Sequence, residues 1–265
     1  MGFLSDFMAA RRRELAERPL DEAGLRAAAA AQPAPRDWEG ALRAGRPALI
    51  AEVKRASPSA GHIAAPQPAI QAVAYEAGGA AAISVLTERL HFKGSLDDLR
   101  VVRAAVGVPV LRKDFLVDPV QALEARAAGA DAVLAITSAL TDAELDALLM
   151  VVADLGMGVL LETHSDDDLD RALATDAQVV GVNARDLESL AVDVPAALAR
   201  LRRIPAGRIA VLESGITDRA DVVAAVEARA SAILVGETLM RAADPRARVR
   251  ELLGLGDHAD HGEES

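Results

Sequence analysis

The chain has 265 residues, 51% of them hydrophobic, enough for one core of α/β-barrel size. A net charge of −11 and only 2% aromatic residues argue against nucleic acid, because a phosphate backbone would be repelled and stacking platforms are scarce. There is no cysteine, which excludes disulfides, thiolate catalysis and cysteine metal sites, and no apolar run approaches the ~20 residues that span a bilayer.

The segment MGFLSDFMAARRRELAERP starts amphipathic and turns basic after residue 10, the reverse of a secretory leader. Asp6 departs from the myristoylation pattern, so a cytoplasmic protein is expected. Two helical stretches follow one another, around SDFMAARRRELAER and DEAGLRAAAAA, before the proline-broken QPAPRDWEG. This N-terminal helical extension, residues 1–46, is expected to cap one end of the fold or help bind substrate, with Arg11, Arg12 and Arg13 forming a solvated helix face.

From residue 47 onward, short Val/Ile/Leu runs alternate with alanine-rich helical segments. The runs are PALIAEV, AAISVLT, VPVLRKD, ADAVLAI, GMGVLLE, AQVVGVN, RIAVLES and ASAILVG. Their spacing, roughly 22–33 residues, suits one strand plus one helix per unit. Apolar strands between helices mean a parallel sheet covered on its outer face, and eight such units close most naturally into a (β/α)8 TIM barrel. A doubly wound open sheet would normally show a glycine-rich phosphate turn after the first strand, and IAEVKRASPSAG has none. Between the strands, DPVQALEARAAGA predicts a helix capped by Asp118 with Pro119 at its first position and Gly129 past its end. TDAELDALLMVVADLGM carries the capping box Thr141-x-x-Glu144 and stops at Gly156, and TDRADVVAAVEARA repeats the design. One barrel domain to residue 256 is expected, then a polar, disordered tail over 257–265.

In such a barrel the C-terminal strand ends face the active site, and inward positions alternate. The polar exceptions fall in that layer: Glu52 and Lys54 on the first strand, Lys113 on the third, Glu162 on the fifth, Asn183 on the sixth, and Glu213 then Ser214 on the seventh. The stretch after the second strand adds Glu88, Phe92 and Ser95. Two Lys, three Glu and one Asn at one end are hard to explain as stability, since an unpaired buried ion costs several kcal/mol. The ESGI and VGET loops after the last two strands offer glycine where a phosphate approaches backbone, with Ser57 as a further donor. Lys54, Arg55, Lys113 and Arg185 would focus positive potential on that anion. Of 29 basic residues only Lys54, Lys93 and Lys113 are lysine. Lysine can lose its proton near neutral pH and Arg cannot, so two lysines at buried strand ends point to proton transfer. The expectation is a desolvated lysine beside another cation, with its pKa brought down towards neutrality.

IAEVKRASPSAG, LRKDF, LLETH, GVNARDL, ESGI and LVGETLM, in this order, resemble the indole-3-glycerol phosphate synthase family of tryptophan biosynthesis, from about residue 3 to 253. The resemblance implies a carboxy-lyase that closes 1-(2-carboxyphenylamino)-1-deoxyribulose 5-phosphate to indole-3-glycerol phosphate, with no metal or organic cofactor. It makes Lys113 the general acid and Glu162 the acid/base counterpart, and sets Lys54 on the substrate carboxylate. Glu52 and Asn183 would orient these groups, and Ser214 would line the active site. Ser57, Glu213, Gly215, Gly236 and Glu237 are implied for substrate and phosphate binding, Glu237 through its backbone. Phe92, Phe115, Leu134 and Leu187 would wall the aromatic ring, with Arg185 at its flank. The partner would be this small phosphorylated molecule, with no nucleic acid or membrane, and the chain a monomer. The sequence departs from the family pattern at LLETH, where LVEVH is expected, and at Glu237, where some members carry Ser and where the carboxylate must turn away from phosphate. Lys93 is expected at the surface. The related phosphoribosylanthranilate isomerases rely on a catalytic Cys, which is absent; a non-catalytic phosphosugar-binding barrel would not keep both Lys113 and Glu162.

Overall fold

Each of the eight apolar runs forms a strand. The computed structural model describes residues 3–45, 47–57, 61–62 and 67–256, with backbone alone at residues 3, 56, 57, 61 and 62. The strands are β1 (Ala48–Val53), β2 (Ala82–Leu86), β3 (Val110–Lys113), β4 (Ala132–Ile136), β5 (Gly158–Thr163), β6 (Val179–Asn183), β7 (Ile209–Glu213) and β8 (Ala232–Val235). All pair in parallel with their sequence neighbours, and β8 pairs with β1 to close the barrel. Most strand residues are buried because side chains fill the barrel on one face and helices cover the other. A two-residue antiparallel pairing of Ala56–Ser57 with Gly61–His62, not foreseen from sequence, follows β1.

The helices are α1 (Phe3–Glu17), α2 (Glu22–Ala30), α3 (Trp38–Arg43), α4 (Pro68–Gly78), α5 (Leu96–Ala105), α6 (Val120–Ala127), α7 (Asp142–Asp154), α8 (Asp166–Ala174), α9 (Val194–Leu201), α10 (Arg219–Glu227), α11 (Glu237–Met240) and α12 (Pro245–Leu253). The predicted capping box of α7 forms, with Thr141 and Glu144 each satisfying the other's backbone N–H. In α10 the cap is Asp218, one residue beyond the threonine, paired with Asp221. At α6, Pro119 already has helical backbone angles, and Asp118 Oδ1 accepts from the Val120 N–H at 2.9 Å.

The N-terminal extension touches both ends of the barrel. Near the C-terminal ends of the strands, the Phe7 ring of α1 packs on Phe115 just after β3, centroids 4.2 Å apart. Arg12 of α1 donates to the Ala139 carbonyl beyond β4 at 3.3 Å and to Glu144 at 3.0 Å. Arg11 corrects an expectation: it does not belong to a solvated face, because its guanidinium lies 3.5 Å from the buried Asp114 and its side chain is 18% exposed. Arg13 is exposed as expected. The proline-broken segment ends in α3, which sits at the opposite end. There Trp38 is buried against Gly158, the first residue of β5; a Cβ at Gly158 would stand 2.4 Å from the indole Cδ1 and 2.8 Å from Trp38 Cβ.

Gly158→Ala should therefore lower stability by about 1–3 kcal/mol through overpacking. Thermal unfolding followed by the emission of the single tryptophan checks this, with a red-shifted native spectrum as α3 is displaced.

Candidate active site

The barrel register brings the polar strand ends to one height. Asn183 pairs with Glu213 across β6 and β7, Ile136 with Glu162 across β4 and β5, and Leu86 with Lys113 across β2 and β3. A cavity of about 450 Å³ opens there, the size of a small-molecule site. Its lining includes Glu52, Lys54, Phe92, Lys113, Phe115, Leu134, Glu162, Asn183, Arg185, Leu187, Glu213, Ser214, Gly215, Gly236 and Glu237. Those are all the residues implied for catalysis and for substrate or phosphate binding except Ser57, whose side chain lies outside the described residues.

Lys113 is the centre. Its Nζ donates to Glu162 Oε2 at 3.0 Å and to Glu213 Oε2 at 3.1 Å. Burial alone would push its pKa down, but the charges of Glu162, Glu213 and Glu52 outweigh burial and hold it well above the ordinary lysine value. This corrects the expectation of a lysine brought towards neutrality by a neighbouring cation: its nearest partners are carboxylates. Asn183 Nδ2 lies 3.3 Å from Glu162 Oε1, while Asn183 Oδ1 accepts from the Arg185 N–H at 3.0 Å, which fixes which way the amide faces. Glu162 is held well below the usual carboxyl range: burial opposes this, and the charges of Lys113 and His164 overcome it. Glu213 is driven the other way, by burial and then by the negative charge of Glu162. The two carboxyls are thus pushed in opposite directions, so their titrations are linked and Glu213 is the harder of the two to ionise. Along β1, Lys54 Nζ meets Glu52 Oε1 at 3.1 Å.

Two glycines make room for these side chains. A Cβ on Gly181 would stand 2.4 Å from Glu213 Oε1, and one on Gly236 would stand 2.3 Å from Glu52 Oε1 and 3.1 Å from Lys54 Nζ. The ESGI turn after β7 places Ser214 and Gly215 consecutively in the left-handed region, at φ 65° and 77°. A β-carbon is strained there at Ser214, as is common where a site dictates backbone shape. Thr238 donates to the Ile216 carbonyl at 2.6 Å and ties the loops after β7 and β8 together. The Glu237 carboxylate turns to Arg241, whose Nη2 lies at 2.8 Å.

Some expectations move. Arg55 does not line the cavity; it forks onto Asp98 at 2.9 and 2.6 Å. Glu88 accepts three backbone N–H groups, from Leu90, His91 and Phe92, and Ser95 caps α5, so both shape the loop after β2. Lys93 is exposed. Sequence reasoning missed Asp114 and Arg241, which line the cavity, and His164, whose Nε2 lies 3.0 Å from Glu162 Oε1. Asp114 and His164 stand inside the motifs LRKDF and LLETH, which was the available signal.

Closed barrel, rim cavity and a lysine clasped by carboxylates define a (β/α)8-barrel enzyme with an acid–base centre. The chain matches the family described as "Indole-3-glycerol phosphate synthase" over residues 4–252 and belongs to that family. It is 50% identical over 243 residues to the indole-3-glycerol phosphate synthase of Mycobacteroides abscessus, covering 91% of this chain and 89% of that one. Identity to the Mycobacterium avium protein of the same name is 51% over 235 residues, 88% of this chain and 86% of that one. Among solved structures, a 3-hexulose-6-phosphate synthase superposes with a TM-score of 0.64 at 19% identity, covering 78% of this chain and 99% of the other; that likeness is one of fold. The family's enzymes are carboxy-lyases of tryptophan biosynthesis.

The raised Glu213 carboxyl gives a pH test. The folded state keeps a proton there that the unfolded chain releases near the ordinary carboxyl value of about 4.3, so Glu213 costs stability as pH rises above that value. Glu213→Gln copies the protonated form, with its oxygen towards Lys113 and its amide towards Glu162. Its Tm should equal that of the unaltered protein near pH 4.5 and exceed it at pH 8 by a few degrees, about 2–4 °C per kcal/mol. Calorimetry across that range decides; a gap that stays flat with pH would place the proton elsewhere.

Proposed function

We propose that, in the family reaction, Lys113 is the general acid and Glu162 its acid/base counterpart. The reaction is closure of 1-(2-carboxyphenylamino)-1-deoxyribulose 5-phosphate to indole-3-glycerol phosphate with loss of CO2 and water. The observation that carries the assignment is the double clasp on Lys113, at 3.0 Å from Glu162 and 3.1 Å from Glu213, inside the cavity.

The chemistry needs a protonated acid at the ketose carbonyl. Lys113, kept charged by its carboxylates, donates a proton there as the carboxyl-bearing aromatic carbon attacks and the new carbon–carbon bond forms. The cation so formed loses CO2, and the electrons of the breaking bond restore the aromatic ring. Its positive charge develops beside Glu162 and Glu52, which stabilise it. The former carbonyl oxygen then leaves as water after a second protonation, and Glu162 removes the ring-carbon proton that completes the indole. The proton on Glu213 stands next to both groups, so it can recharge whichever has reacted. Lys54, paired with Glu52 at 3.1 Å, takes the substrate carboxylate, while Ser214 lines the reacting centre and Asn183 orients Glu162. Phosphate lies against Gly215, Gly236 and the N–H of Glu237, with the Glu237 carboxylate drawn aside by Arg241. Phe92, Phe115, Leu134 and Leu187 wall the aromatic ring and Arg185 flanks it.

The direct test supplies the carboxyphenylamino-deoxyribulose phosphate without added metal and follows indole fluorescence. Lys113→Met should reduce turnover by about a thousandfold or more, the usual reach of a general acid, with product affinity kept within about tenfold. Near-normal turnover in that variant would remove Lys113 from the role. Lys54→Ala should act mainly on KM, raising it about tenfold or more as a lost charge-assisted contact does; unchanged kinetics would leave Lys54 as no more than the partner of Glu52.

A further inference from the structure

His164 follows β5 directly, one turn of chain beyond Glu162. The α8 cap holds its backbone: its N–H donates to Asp168 Oδ2 at 3.1 Å, and Ser165 and Asp168 complete the capping box. The imidazole that this backbone aims inward is 8% exposed, with Nε2 3.0 Å from Glu162 Oε1. Neither ring nitrogen completes an aligned hydrogen bond among the described residues, so the approach to Glu162 is one of charge and dipole. A core histidine with a structural duty ordinarily has a hydrogen-bond partner. This one has a carboxylate at contact distance instead, and it is the oxygen that Asn183 also approaches, opposite the oxygen on Lys113.

We propose that His164 is a positioning residue for the reaction: it presses on Glu162 Oε1, fixes the carboxylate towards Lys113, and joins it to the loop that carries Arg185 and Leu187. The inference rests on the assignment of Glu162 as acid/base. The loop connection comes through Asn183, whose Nδ2 lies 3.3 Å from the same Glu162 Oε1 and whose Oδ1 accepts from the Arg185 N–H at 3.0 Å. The charged or titratable groups facing this arrangement are Lys113 from β3, Glu162 from β5, Asp186 after β6 and Glu213 from β7. Both the contact and the charge of His164 hold Glu162 low. Losing the imidazole therefore makes Glu162 easier to protonate, and the acid limb of the kcat–pH profile moves to higher pH. The ring does not line the cavity, so substrate affinity is not its effect.

The test uses the full chain with the carboxyphenylamino-deoxyribulose phosphate. His164→Leu should lower kcat about tenfold with KM within about threefold, the signature of an altered reacting group rather than lost binding. Its acid limb should rise in pH. His164→Gln, which returns an N–H at that end of the side chain, should recover kcat to within about threefold of the unaltered enzyme. Because His164 acts through Glu162, adding His164→Leu to Glu162→Gln should cost nothing further. Unaltered kcat and pH profile in His164→Leu, beside an inactive Glu162→Gln, would overturn the positioning role and leave the site assignment standing. So would a change confined to KM, or a loss that is only of Tm. Full activity in Glu162→Gln would instead sink the site assignment, and His164 with it. Should the leucine variant fail to fold, the pH profile of His164→Asn, too short to reach Glu162, gives the same decision.

Discussion

An ammonium group closed off from water stays charged only where negative charge is supplied in excess, and Lys113 is in that position. Its side chain is 13% exposed and carboxylate oxygens lie at 3.0 and 3.1 Å. Desolvation of such an ion costs several kcal/mol, and good geometry to its partners is what offsets it. Too much negative charge would be as costly as too little. Two ammonium groups, Lys54 and Lys113, face three carboxyls, Glu52, Glu162 and Glu213. Burial beside like charges limits how many of the three ionise together. The opposed directions of the Glu162 and Glu213 pKa values express that balance.

Arranging five such groups around one cavity is a task for the barrel's register rather than for any loop. Strand-end residues from β1, β3, β5, β6 and β7 arrive at one height because each strand pairs with both neighbours in the ring. The inward layer is crowded, and glycine relieves it at Gly181 and Gly236, whose missing side chains leave the space occupied by Glu213 and Glu52. Rotation by one residue along β3 reaches the outer face. There Arg112, 1% exposed, meets Asp114 at 3.0 Å and Glu124 at 2.8 Å, and donates to the Gln121 carbonyl at 2.9 Å. Lys113 is thus backed by a second charged cluster through which α1 is fastened, since Asp114 also faces Arg11.

Strand periodicity made the barrel legible: eight apolar runs at barrel spacing become eight strands, and charged residues ending them line one cavity. The alternation of strand side chains was enough to put Glu52, Lys113 and Glu162 together without coordinates. Side-chain partners were not legible. Arg55 and Arg11 look like free cations in sequence, yet Asp98 lies 43 positions from Arg55, and Asp114 is brought to Arg11 only by the packing of α1. The direction of the Lys113 pKa was misjudged for the same reason. Sequence shows that lysine was chosen but not that three carboxylates surround it. His164 escaped notice because a residue just past a strand end has no fixed facing until the following cap sets its backbone.

The division between arginine and lysine follows from these environments. Where a positive charge must grip and stay, the chain uses Arg. Arg36 donates to the Val108 and Arg103 carbonyls at 2.7 and 3.3 Å, Arg171 to those of Thr137 and Leu140 at 2.9 and 2.7 Å, and Arg208 to the Ala172, Leu173 and Thr175 carbonyls at the C-terminal end of α8. A planar fork suits several fixed acceptors at once and cannot be deprotonated. Lysine stands at Lys54 and Lys113, where the cation sits at the cavity, and at the exposed Lys93. An ammonium is a compact point charge with rotatable donors, so it can exchange one acceptor for another by a small swing. A guanidinium forked between the same carboxylates would be held too firmly to leave them and could not release a proton once it had. The burial that makes Lys113 expensive to the fold is thus met by a cation that, unlike arginine, keeps rotational freedom among its carboxyl partners.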